Sequence, residues 1–88
     1  MEPTRAQLSR AFALTIRRLR SERAIAQETL AFKAGVDRSY MGRLERGEHS
    51  PTVEAIYRLL PALGISFRCF AKRFEEALAD LVPRAPKR

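Results

Sequence analysis

Residues 34–47, "AGVDRSYMGRLERG", decide the fold. Gly35 and Gly47 bracket the stretch, and between them Arg38, Arg43 and Arg46 alternate with Val36, Met41 and Leu44. Glycine enters a left-handed φ without steric cost, so Gly35 suits the sharp end of one helix. Asp37 can cap the next. A helix running from there to about Arg46 turns Met41 and Leu44 inward. It presents Arg38, Ser39, Tyr40, Gly42, Arg43 and Arg46 outward.

Upstream, Gln27 to Ala34 reads as a short helix with Leu30 and Ala34 inward, and the small Ala31 allows a close crossing. Two short helices joined through one glycine, the second displaying arginines, have the form of a helix-turn-helix. Further back, Thr4-Arg5-Ala6-Gln7 is a capping-box pattern opening a first helix with Leu8, Phe12, Ile16 and Leu19 on one face. Its other side is strongly basic: Arg5, Arg10, Arg17, Arg18, Arg20 and Arg23. Downstream, Thr52 can cap a fourth helix bearing Val53, Ile56, Leu59, Leu60 and Leu63, stopped by Gly64. Pro61 lies in its last turn, so a kink or an early end is expected there. A final helix, about 66–82, carries Phe67, Phe70, Phe74, Leu78 and Leu81 in one stripe. Pro83 ends it, leaving 83–88 as a basic tail. No strand pattern competes, so residues 1–82 read as one all-α domain.

The 88 residues suffice for a single small core. One cysteine excludes an intramolecular disulfide and a cysteine-based zinc site. No apolar run approaches the ~20 residues of a membrane span, and no secretory signal is legible. A cytoplasmic protein is expected. The formal net charge of +7 points to a polyanionic partner, nucleic acid first. Arginine suits that role, because its planar fork pairs bidentately with guanine O6 and N7 in the major groove.

Ile16 to Ser66 resembles the Xre/Cro-like, phage-repressor type of helix-turn-helix domain. The resemblance rests on Ile16, Leu19, Arg20, Gln27, Leu30, Ala31, Gly35, Val36, Ser39, Tyr40, Glu45, Gly47, Pro51, Leu63 and Gly64. It implies a compact, five-helix, lambda-repressor-like fold and sequence-specific regulation of transcription on double-stranded DNA. Stand-alone repressors and the controllers of restriction-modification systems are the small members that this chain looks like. The resemblance gives Gln27 a phosphate and the task of steadying the first reading residue. It puts Arg38, Ser39 and Arg43 at base-reading positions and Arg46 on the DNA backbone. It pairs Arg20 with Glu45 as a structural bridge between helices 1 and 3. Tyr40 has two open readings, a contact in the groove or a cover over the core edge. Two positions depart from the family pattern: Ala26 where a Ser or Thr N-cap is usual, and Ala24 where glycine is common.

The stripe on the last helix spans about four turns, more than one short neighbour covers. Phe67, Phe70, Phe74, Leu78 and Leu81 are therefore the candidate homodimer interface. Two copies would place two reading helices on half-sites of a roughly palindromic operator, and autoregulation is the matching expectation. The alternative is an antitoxin-type module that neutralises a toxin and also binds DNA; RNA polymerase is a further candidate partner. An enzyme is disfavoured, since no nucleophile–base pair, phosphate-cradling glycine loop or carboxylate cluster is present. No metal or cofactor is expected: His49 has no ligand partners in the pattern, and Cys69 falls off the apolar stripe. Glu75, Glu76 and Asp80 oppose an anionic membrane surface.

Overall fold

Helix ends set the architecture. The computed structural model describes residues 2–82, and all regular structure among them is helical: α1 Arg5–Arg23, α2 Gln27–Ala34, α3 Arg38–Glu45, α4 Val53–Leu63 and α5 Phe67–Leu81. The basic tail at 83–88 lies outside the described residues. The capping box of α1 is complete, with Thr4 N–H donating to Gln7 Oε1 at 2.7 Å and Gln7 N–H to Thr4 Oγ1 at 3.1 Å. Asp37, Thr52 and Ser66 accept from the third backbone N–H of α3, α4 and α5, and each satisfies one of the orphan donors of a helix start. Ala26 stands at the same position before α2 and makes no side-chain cap bond. Gly35 ends α2 at φ 69°, with Val36 N–H returning to the Ala31 carbonyl at 3.0 Å, and this turn swings α3 across α2. At the end of α1 the left-handed residue is Ala24, φ 53°, where a Cβ is disfavoured.

α1 is the central element, packed by α5 on one side and by α3 on the other. Phe12, Ile16 and Leu19 form its inner ridge, closed by Leu30 of α2, Met41 and Leu44 of α3, Leu59 and Leu63 of α4 and Phe70 of α5. Phe12 and Phe70 meet edge-on, with ring centroids 5.8 Å apart. Arg73–Glu22 and Arg18–Asp80 clamp the outer edges of the α1–α5 contact.

Three expectations need correction. α4 does not end early at Pro61: it runs on to Leu63, and Gly64 N–H caps it on the Leu60 and Pro61 carbonyls. Pro61 and Tyr57 are both exposed, so the carbonyl that loses its donor faces water. Val53, placed by periodicity on the inner face of α4, is 69% exposed in the first turn. Leu8 rims the surface in the same way at 38%.

The stripe on α5 is also not one surface. Phe70 and Leu78 are buried in the chain's own core, at 5% and 6% exposure. Only Phe67, Phe74 and Leu81 of the five keep area for a partner. Leu81 lies fourteen positions beyond Phe67, roughly 21 Å along the helix, and the two open onto different concavities.

Candidate nucleic-acid interface

α3 is short, and both of its ends are fixed. Asp37 caps its start, while Met41 and Leu44, both fully buried, hold its inner side in the core. Near its last turn Glu45 is 3% exposed, and Arg20 of α1 grips it through two hydrogen bonds. Gln27, the first residue of α2, donates its Nε2 to the same carboxylate at 3.0 Å. Three elements thus meet on Glu45, and a buried carboxylate with this many charge-assisted donors keeps its charge turned from the surface. The bridge inferred from the family resemblance is present.

Outward from this anchor, Gln27, Arg38, Ser39, Gly42, Arg43 and Arg46 line one concave strip of about 310 Å³. Of the six candidate reading residues, five are brought together. Tyr40 is the exception: it is half-buried, packs on the core, and sits with Val36, Thr52 and Arg58 around a separate groove. Its ring leans on His49 at 6.2 Å. Gly42 matters by lacking a side chain. A Cβ there would stand 3.1 Å from Arg46 Nη1 and 3.8 Å from Gln27 Oε1, closing the strip at its middle.

The arginines of the strip are held in different ways. Arg38, at the exposed start of α3, pairs with Glu28 of α2. Arg46 pairs with Glu48, Nε to Oε2 at 2.8 Å, and this guanidinium holds the Glu48 carboxyl below the usual carboxylate range. Arg43 is half-buried, and its enclosed Nε has no hydrogen-bond partner among the described residues. Gln27 steadies Glu45 here rather than Arg38, whose partner is Glu28. Glu28 and Glu48 were missed in the sequence, because the Glu28–Arg38 pair spans the turn, the Arg46–Glu48 pair lies past the end of α3, and neither follows a helical spacing. Among the described residues no group of His, Cys, Asp or Glu could hold a metal ion, and no helix is long and apolar enough to cross a membrane. Cys69 is exposed.

This fold and strip define a class, the helix-turn-helix DNA-binding domain. A helix-turn-helix domain model matches residues 11–67, well over half of the chain. The chain belongs to the Xre/Cro-like helix-turn-helix family. It is 43% identical over 49 residues, 56% of its length, to the uncharacterized HTH-type transcriptional regulator y4dJ of Sinorhizobium fredii, and spans 64% of that protein. The restriction-modification controller protein C.AhdI from Aeromonas hydrophila superposes with a TM-score of 0.67 at 40% identity, covering 70% of this chain and 94% of that one. The controller C.Esp1396I, solved as a tetramer with its natural 35 base-pair operator, superposes with a TM-score of 0.76 at 25% identity, covering 81% and 93%.

Proposed function

We infer that this chain is a transcriptional regulator that binds double-stranded DNA by laying α3 in the major groove. It acts as a homodimer on a roughly palindromic operator and controls its own gene. The observation that carries this reading is the strip: Gln27, Arg38, Ser39, Arg43 and Arg46 converge on one concave surface of a helix whose back is locked by Glu45. With its side chains a helix is about 10–12 Å across and fits a groove about 12 Å wide, and the eight residues of α3 give it about 12 Å of length within the groove. Arg38 and Arg43 project from its outer side toward base edges; Arg46 and the α2 N-terminus, at its margins, suit phosphates.

Dimerisation is supported by an apolar groove of about 390 Å³ between α1, α4 and α5. Leu8, Ile56, Phe67, Ala71 and Phe74 line it, and Tyr57 stacks on Phe67 at 5.3 Å to extend its rim. Its occupant is a second copy, since one short reading helix spans too few base pairs for a specific site. Operator binding and assembly by the C.Esp1396I controller agree with that choice. Hydroxyl-radical footprinting on the promoter region of its own gene, with sedimentation of the free protein, tests the reading. Two protected patches one helical turn apart and a dimeric free protein are expected; a single patch from a monomer would overturn the dimer.

A further inference from the structure

The strip continues past Arg46. This side chain also forms one wall of a smaller notch of about 150 Å³ on the far side, together with Arg10, Ala13, Leu14, Arg17 and Leu81. Arg10 and Arg17 of α1 converge there with Arg46, the residue that follows α3. Glu48 is the carboxylate paired with Arg46. Arg17 donates Nη1 to the Glu45 carbonyl at the end of α3, which fixes its guanidinium against the negative end of the reading helix. Arg10 pairs with no carboxylate among the described residues. The α3–α4 loop rests directly on its backbone: Gly47 has φ +75°, and a Cβ there would lie 3.1 Å from Arg10 Cγ and 3.4 Å from its Cα. These are side chains placed by packing, with guanidinium donors left over.

We propose that this notch is a second DNA contact, which takes one phosphate of the backbone bordering the groove that α3 occupies. Arg10 and Arg17 hold the phosphate, Arg46 is shared between it and the strip, and Ala13, Leu14 and Leu81 offer an apolar wall to the adjoining deoxyribose. The proposal rests on the DNA-binding reading above and deepens it. The occupant is a duplex phosphate because the notch joins the reading strip through Arg46. Such a contact fixes the register of the protein on the duplex and carries no base information.

The test uses the full chain and its R10Q, R17Q and R18Q variants. Each is titrated by fluorescence anisotropy over a salt series, on the duplex upstream of its own gene and on a scrambled duplex. R18Q is the control: it removes the same charge from α1, but Arg18 faces Asp80 of α5 at 2.8 Å. Because they share one phosphate, R10Q and R17Q are each expected to reduce the magnitude of the slope of log K against log salt on both duplexes by at most about 0.9, the full share of that phosphate. The preference between duplexes stays at the wild-type value, and R18Q keeps the wild-type slope. Circular dichroism melts establish that all variants are folded. Equal loss of slope in all three variants would mean a diffuse field and overturn the proposal, as would unchanged slopes in R10Q and R17Q. Wild-type protein that does not distinguish the duplexes would instead refute sequence reading, and the slope comparison would still report on the notch.

Discussion

Arg20 and Glu45 are joined twice, Nε to Oε2 at 2.6 Å and Nη2 to Oε1 at 2.8 Å, across 25 residues of sequence. A third bond, Arg20 Nη1 to the Ile25 carbonyl at 2.8 Å, brings the α1–α2 connection into the same node. The reading helix is therefore positioned by a buried charge and not only by its two apolar contacts.

Glu45→Gln keeps the shape of the side chain and removes its charge, leaving Arg20 a weaker acceptor in a site that is only a fifth exposed. Breaking a buried pair by deleting one partner costs about 3–5 kcal/mol, and the partial exposure of Arg20 lowers this to about 2–4 kcal/mol. Urea denaturation is expected to show that loss. A change within 0.5 kcal/mol, the range of about ±0.5 kcal/mol typical of surface substitutions, would mean that the node is ornamental.

Two local positions are expected to respond in the opposite direction. Ala26→Ser supplies the missing N-cap of α2 and is expected to stabilise by about 1 kcal/mol. Ala24→Gly relieves a left-handed Cβ at φ 53°, a strain of about 1–2 kcal/mol that is partly offset by the greater chain entropy of glycine. Thermal melts of the two single variants and the double would show upward shifts that add, since the changes act on different backbone groups.

Acid sensitivity should be traceable to the α1–α5 clamp. Arg73 donates Nη1 and Nη2 to the two carboxylate oxygens of Glu22 and holds its carboxyl below the usual carboxylate range. A lowered carboxylate pKa stabilises fully above the ordinary glutamate value, and that contribution is lost as pH falls through the lowered value. Melting temperatures taken from about pH 6 down to about pH 3 are expected to fall less steeply for Glu22→Gln than for wild type. Parallel curves would place the acid sensitivity elsewhere.

The position of the dimer face is open to a paired test. Phe67→Glu puts a charge into the apolar groove, where Phe67 is 43% exposed, and a circular dichroism melt is expected to show the variant still folded. Sedimentation is expected to show the dimer weakened at least tenfold. Leu81→Glu, at the other end of α5, should leave it intact. Equal effects would return the interface to the whole length of the helix.

Much of the fold was legible in the sequence because its signals act locally. Thr4, Asp37 and Thr52 cap the helix that begins beside them, and Gly35 and Gly64 end the helix behind them, so local signals mark at least one end of each of the first four helices, and the apolar stripe marks the fifth. Tertiary context decides the rest. Periodicity put Phe67 and Phe70 on one stripe, yet only Phe70 meets Phe12 and is buried. Val53 follows the inner period of α4 one turn before any neighbour covers it, and Pro61 sits where its missing donor has water opposite. At the candidate interface the outward arginines were legible from the α3 period. Tyr40 needed three dimensions, because the side chain that covers the core edge and the side chain that enters a groove share a helical position. The grip of Glu28 on Arg38 crosses a turn and leaves no pattern.

The central claim is that Arg38 reads bases. Fluorescence anisotropy at physiological salt, comparing the duplex upstream of its own gene with a scrambled duplex, tests it most directly. Wild type is expected to prefer the native duplex by at least ~1,000-fold. Arg38→Ala should lose about 1–3 kcal/mol of that discrimination while keeping most of its affinity for the scrambled duplex. Equal binding of both duplexes by wild type, or an Arg38→Ala variant that discriminates as well as wild type, would contradict it.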